Sequence, residues 1–296
     1  MIRLELQVDL AYDITDPAGA DFVFNIHAAR TPQQTVEQER LVINQRVATD
    51  VATDEATATR FMRLRAGPGP LQLTYTATVR IDHHRADPAT LREVPVRSLP
   101  LDVLPYVYPS RYCQSDRLLR TAFRNFGHLP QGHSRVMAIQ NWVQQHVTFA
   151  SNTSNSNTSA IDTLVEQVGV CRDFTHLMIA LCRALNIPAR IATGTDFGAD
   201  PALGPPDFHA YVEVYLGDRW YIFDASGTGI PMGFLRFGTG RDAADVAFAT
   251  IFGGVNAMAP MIRTVALAGP GLWMPEHCAE ALSTVAGPGV GGARLL

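Results

Sequence analysis

The chain is poor in several features that would narrow its function at once. Its four cysteines, Cys113, Cys171, Cys182 and Cys278, lie far apart and form no CxxC, which speaks against both a zinc ribbon and a disulfide framework. It has no run of five basic residues and a formal charge of −4, so no dedicated nucleic-acid surface is expected. No apolar stretch approaches the roughly 18 residues of a membrane span, so no membrane association is expected either. Met1 to Leu10 alternates apolar with charged or polar residues rather than giving a basic start, an apolar stretch and a cleavage site, so no secretory signal is expected. A reducing cytoplasm is then the expected compartment, and the glycosylation-type triplets at Asn152 and Asn157 read as chance matches. What is present is 296 residues, 47% of them apolar, enough to bury a sizeable core.

The first third reads as strands. Ile2, Leu4, Leu6, Val8 and Leu10 alternate with Arg3, Glu5, Gln7 and Asp9, the period of a strand with one wet face. Phe22 to Ile26, Val36 to Val42, Phe61 to Leu64 and Leu71 to Ile81 follow, with Gly67-Pro68-Gly69-Pro70 as a break. Residues 1–95 are thus expected to form a β-rich, sandwich-like domain. His83-His84 ends the longest strand with no Cys or Glu at ligand spacing, so no metal site is expected there. Prolines 95, 100, 105 and 109 forbid a regular helix and mark a connector. Beyond it, Asp116 to Phe126, Ser134 to Val147 and Asp162 to Val168 have helical character, and the Ser/Asn/Thr tract 151–159 reads as an exposed loop beside a functional site.

Gly169-Val170-Cys171-Arg172-Asp173-Phe174 places a cysteine where a tight turn opens an apolar helical run. Unpaired N–H groups at a helix start favour a thiolate, and the Cys171 N–H is also a natural oxyanion donor. A lone cysteine here would more simply be a buried structural residue. Asp173 suits the first turn as an acid favoured by the helix dipole. His176 falls well away from the face of Cys171 and reads as structural, and Cys182 lies roughly 16 Å along the axis, too far to pair with it.

Further on, Phe208 to Leu216 alternates apolar residues against His209, Tyr211, Glu213 and Tyr215, and Gly217-Asp218 is a hairpin signal before the returning strand Arg219 to Asp224. A two-residue turn pairs Tyr215 with Trp220 and Glu213 with Ile222, and brings Tyr211 opposite Asp224. His209 and Asp224 then share a face as diagonal neighbours roughly 7 Å apart in backbone. A three-residue loop without a bulge would break that arrangement by sending alternate side chains to the other face.

The blocks Gly169–Leu177, Ala180–Arg190, Phe208–Val214 and Trp220–Ser226 together resemble the transglutaminase-like superfamily, in its bacterial cysteine-peptidase-like branch. The N-terminal β segment and Gly240–Val246 resemble flanking parts of the same branch. The resemblance implies an α+β fold: an N-terminal all-β sandwich-like domain, then a papain-like or transglutaminase-like core of helices packed on an antiparallel sheet. Domains are expected at 1–95, 96–256 and 257–296, the last an extension whose end is disordered or packs on a neighbour. By the same resemblance Cys171 is the nucleophile, His209 its base and later acid, and Asp224 the residue that orients the imidazole.

The implied activity is that of a thiol hydrolase or acyltransferase acting on peptide or glutamine-type amides through a Cys171 thioester, with hydrolysis favoured, a peptide or protein as substrate and no cofactor. The alternative is an inactive peptide- or protein-binding module on the same fold. A zinc site of Cys171, Cys182 and His209 is disfavoured by spacing. The second oxyanion donor stays open among Gln114, Asn141 and Asn152. Two departures from the family pattern, Tyr211 where Trp is common and Ala225-Ser226 where Pro-Thr is common, bear on substrate shape.

Overall fold

The computed structural model describes residues 1–204, 206–285 and 287. The chain opens with β1 (Ile2–Ile14), β2 (Ala20–Phe24), β3 (Gln34–Ile43), β4 (Thr49–Thr53), β5 (Arg60–Ala66), β6 (Gly69–Ile81) and β7 (His84–Ala86). Alternation does the folding: Ile2, Leu4, Leu6, Val8, Leu10, Tyr12 and Ile14 all point inward from β1. Each such side chain contributes roughly 1.5–3 kcal/mol on burial, and a slip of one residue would turn the whole set to water. β1 pairs with β6 and β6 with β3 in one sheet, while β2 and β5 pair in a second that also holds β4. Tyr12 of the first sheet packs 5.3 Å from Phe22 and 6.0 Å from Phe24 of the second, closing a sandwich.

The proline-rich connector forms 3₁₀ turns, and its Leu99 and Val103 pack on Tyr215 and Trp220 rather than running free. Then come α1 (Ser115–Phe126), α2 (His133–His146), β8 (Thr148–Phe149), α3 (Ala160–Glu166), β9 (Val168–Gly169), α4 (Cys171–Ala184), β10 (Ala189–Thr195), β11 (Phe208–Leu216), β12 (Arg219–Phe223), β13 (Leu235–Gly240) and α5 (Ala243–Val246). β10 to β13 form one antiparallel sheet in the order β12-β11-β10-β13. α4 lies at the centre of the core, against α1, α2, α3 and the sheet. All of its residues after Arg172 are buried, so it is enclosed on every side rather than along the one stripe that its apolar spacing suggests.

The chain finally returns to where it began. β14 (Ala249–Phe252) joins β2, while β15 (Val255–Ala257) and β16 (Met261–Ala266) both pair along β1. The N-terminal sheets are therefore completed by residues 249–266, and an end of the core at 256 with a separate extension from 257 does not describe the structure. The reason is the 13-residue length of β1, which offers a second edge that two short strands fill. β17 (Ala281–Ser283) pairs with β7, so the tail packs on its own chain. The expectation for the extreme C-terminus falls on 286 and 288–296, outside the described residues. No helix among the described residues is long and apolar enough to cross a membrane.

Candidate active site

Cys171 is the first residue of α4 and is half-buried. The turn before it is fixed by Asp173, whose Oδ2 accepts a hydrogen bond from the Val170 N–H at 2.9 Å and whose Oδ1 accepts one from Ser154 Oγ at 2.8 Å. Gly169 is not in the left-handed region. It provides room instead, since a Cβ there would lie 2.7 Å from the Asp173 Cβ. Arg172 reaches sideways to Ser154 Oγ (2.6 Å) and the Asn155 carbonyl (2.7 Å), pinning the 151–159 loop to the helix start. His176 is fully buried, stacks on Tyr112 at 5.0 Å and accepts a hydrogen bond from the Ala243 N–H on Nε2. Burial holds it neutral, with its pKa pushed down to about 3. Cys113 and Cys182 are buried thiols pushed up by desolvation, Cys113 to about 12.

The hairpin has the register expected from its spacing, with Tyr215 opposite Trp220 and Glu213 opposite Ile222. The ladder closes at Val212 and Phe223, one residue short of Asp224. His209 and Asp224 are both buried, and His209 Nε2 lies 3.4 Å from Asp224 Oδ1. No well-aligned hydrogen bond joins them, so the contact is one of charge with charge. Asp224 is clamped from behind: Oδ1 accepts from the Ser226 N–H (3.2 Å) and Oγ (2.8 Å), and Oδ2 from the Gly229 N–H (3.0 Å). Gln144 of α2 donates to its carbonyl at 3.0 Å.

Cys171 approaches the strand at its Phe208 end, with Sγ 3.9 Å from the Phe208 carbonyl, which places its thiol beside the His209 ring. Burial opposes a charge on His209, but Asp224 and then Cys171 outweigh it and hold the imidazole pKa well above its usual value. Burial likewise opposes ionisation of Asp224, and His209, Gly229 and Ser226 outweigh it and hold that carboxyl low. Phe234 covers the imidazole from one side, ring centre to ring centre 4.6 Å.

The structure therefore brings Cys171, His209 and Asp224 together. None of Gln114, Asn141 and Asn152 hydrogen-bonds to α4 or to the hairpin. Asn141 is exposed on α2, Asn152 is exposed at a left-handed turn with φ 64°, and Gln114 lines a separate polar hollow with Arg111, Arg117 and Asn157. Three contributors were not read from the sequence. Gln144 and Ser226 hold Asp224, and Asp196 follows β10 near His209, its half-buried carboxyl pushed up by burial. Only Ser226 had a signal, its place two residues after the aspartate. Among the described residues no group of three His, Cys, Asp or Glu side chains converges as a metal site would need.

A cysteine opening a buried central helix, with a histidine and an aspartate supplied by the adjoining hairpin, defines a thiol site on a mixed α+β scaffold. Residues 122–225, which contain all three, match the model of the transglutaminase-like superfamily core, and residues 2–102 match that of the bacterial transglutaminase N-terminal domain. A crystal structure from Cytophaga hutchinsonii, described as a candidate cysteine protease, is 39% identical and superposes with a TM-score of 0.86 over 95% of this chain and 97% of that one. An uncharacterised Mycobacterium leprae (strain TN) protein is 24% identical over 83% of this chain and 91% of its own length. The chain belongs to the transglutaminase-like superfamily.

Proposed function

We propose that the protein is a thiol hydrolase or acyltransferase that opens peptide or glutamine-type amides through a thioester on Cys171, with water the favoured second substrate. The observation that carries this reading is the Cys171 thiol at a helix start, beside a His209 whose charge Asp224 sustains. The thiolate attacks the amide carbonyl and forms the C–S bond. The charge that develops on oxygen faces the Cys171 N–H. As the C–N bond breaks, protonated His209 gives its proton to the leaving amine. Water then attacks the thioester, His209 takes its proton, and the C–S bond breaks to release the acid. Asp224 stays ionised throughout and keeps the ring oriented.

Preference for water follows the 39% identical structure described as a candidate protease. The four free cysteines suit a reducing, cytoplasmic setting. The test is to incubate the protein with glutamine-containing peptides and a labelled amine, scoring cleavage, ammonia release and amine incorporation together. Cleavage or ammonia release that Cys171→Ala abolishes is the expected result. Signals equal to the Cys171→Ala background across a broad peptide set would leave the inactive, peptide-binding alternative.

A further inference from the structure

A second charged cluster lies deeper along the face of β11 that carries His209. Glu213 is fully buried, and its Oε2 accepts from Arg190 Nε (2.8 Å) and lies 2.7 Å from Arg190 Nη2. Arg236 of β13, 1% exposed, approaches the other oxygen of Glu213 with Nη1 at 3.4 Å, without a hydrogen bond. Its Nη2 donates to the Thr57 carbonyl (3.2 Å) and Thr239 Oγ1 (3.1 Å). Among the described residues Nε has no partner and neither does the hydroxyl of the fully buried Tyr211, while Nη1 has only its approach to Glu213 Oε1, an oxygen that likewise accepts no hydrogen bond.

The charges do not balance. Two arginines meet one carboxylate, and Arg190 already holds Glu213 with two nitrogens while lying 4.2 Å over the Trp220 ring. The other groups that touch Arg236, from Gln34, Thr57 and Thr239, are uncharged. His209 on the same face is balanced by Asp224. One buried positive charge is left over. Buried polar groups without partners are rare enough to require an explanation, such as a water or an ion, and an uncompensated buried charge is strongly destabilising. A water could accept from these donors, but it would leave the charge.

We propose that the free N–H groups of Arg236 and the Tyr211 hydroxyl form a buried site for one small monovalent anion of chloride size. The anion would neutralise the excess charge and take the unpartnered donors, joining β11 and β13 where Gln34 of the N-terminal domain also binds the Arg236 backbone.

The full-length protein would be crystallised with bromide in place of chloride, and its thermal midpoint followed against chloride at constant ionic strength, with gluconate as the replacement. A bromide anomalous peak in contact with Arg236 and Tyr211 is expected. So is a midpoint that climbs about 2 °C per tenfold rise in chloride above the dissociation constant, with a smaller climb in Tyr211→Phe, which keeps the ring and removes only the donor. An ordered water there with no anomalous signal would overturn the proposal, as would equal midpoints in chloride and gluconate. Neither readout depends on enzymatic activity or on a variant that perturbs the fold.

Discussion

One face of strand β11 carries two buried charge clusters at different distances from the helix start. At the Phe208 end, His209 meets Asp224 and the half-exposed thiol of Cys171. Two rows deeper, Glu213 sits between Arg190 and Arg236, enclosed by the N-terminal sandwich. Both clusters put charge where water does not reach, and such burial is costly unless partners compensate it. At the outer end the compensation includes the half-buried thiol of Cys171, the proposed nucleophile. At the inner end it joins two sheet strands and a neighbouring domain. The proposed chemistry thus sits at the end of the strand that keeps a half-buried thiol, while the fully buried charges further along join structural elements.

The sharpest way to break this contrast is to remove one member from each cluster. Cys171→Ala is expected to lower amide-cleaving activity by about 10⁴-fold or more while moving the thermal midpoint little. A variant retaining a tenth of the activity would place the chemistry elsewhere. Glu213→Ala is expected to do the reverse, costing about 3–5 kcal/mol of unfolding free energy because it strands two buried arginines. A loss under 1 kcal/mol in denaturant titration would mean that the inner cluster is solvated.

Asp224→Asn should fall between the two, with activity lower by about 10²–10⁴-fold and the protein still folded. Acidity sharpens the comparison further. His209 has a pKa raised above its unfolded value of about 6.5, so its contribution to stability is complete below that pH and is lost as pH rises through the folded value. Asp224 is held low, so its contribution stands above the ordinary carboxylate range and is lost only as pH falls through its depressed value. Wild-type protein should thus lose stability relative to His209→Gln on the alkaline side of pH 6.5. Parallel melting curves from pH 6 to 10 would contradict the pairing. The smallest expected effect is that of Ser226→Ala, about 1.5–3 kcal/mol for one hydrogen bond to the ionised Asp224 carboxylate.

Much of this was legible in local spacing. The alternation in β1, the two-residue hairpin turn and the shared face of His209 and Asp224 all follow from a period of two, and the observed hairpin register agrees from Leu216–Arg219 to Val212–Phe223, where the ladder ends. The thiol at a helix start could be read from Gly169 to Leu177, whereas the room that Gly169 leaves for the Asp173 side chain could not. Gln144 gave no signal, because a glutamine amide reaching a carbonyl 80 positions away has no periodicity. The polar candidates Gln114, Asn141 and Asn152 had the right chemistry, but nothing in the sequence says which way a side chain on a neighbouring element points.

By itself the sequence determined the elements, the hairpin register and the residue types available for chemistry, because these depend on neighbours a few positions apart. Only the tertiary structure decided that Cys171 stands against the Phe208 end of β11, that 249–266 returns to the first sheets, and that Arg236 lies beside Glu213 with donors to spare. Each of these is an approach between distant segments. Packing and charge across the assembled core select among such approaches, and no local pattern records the choice.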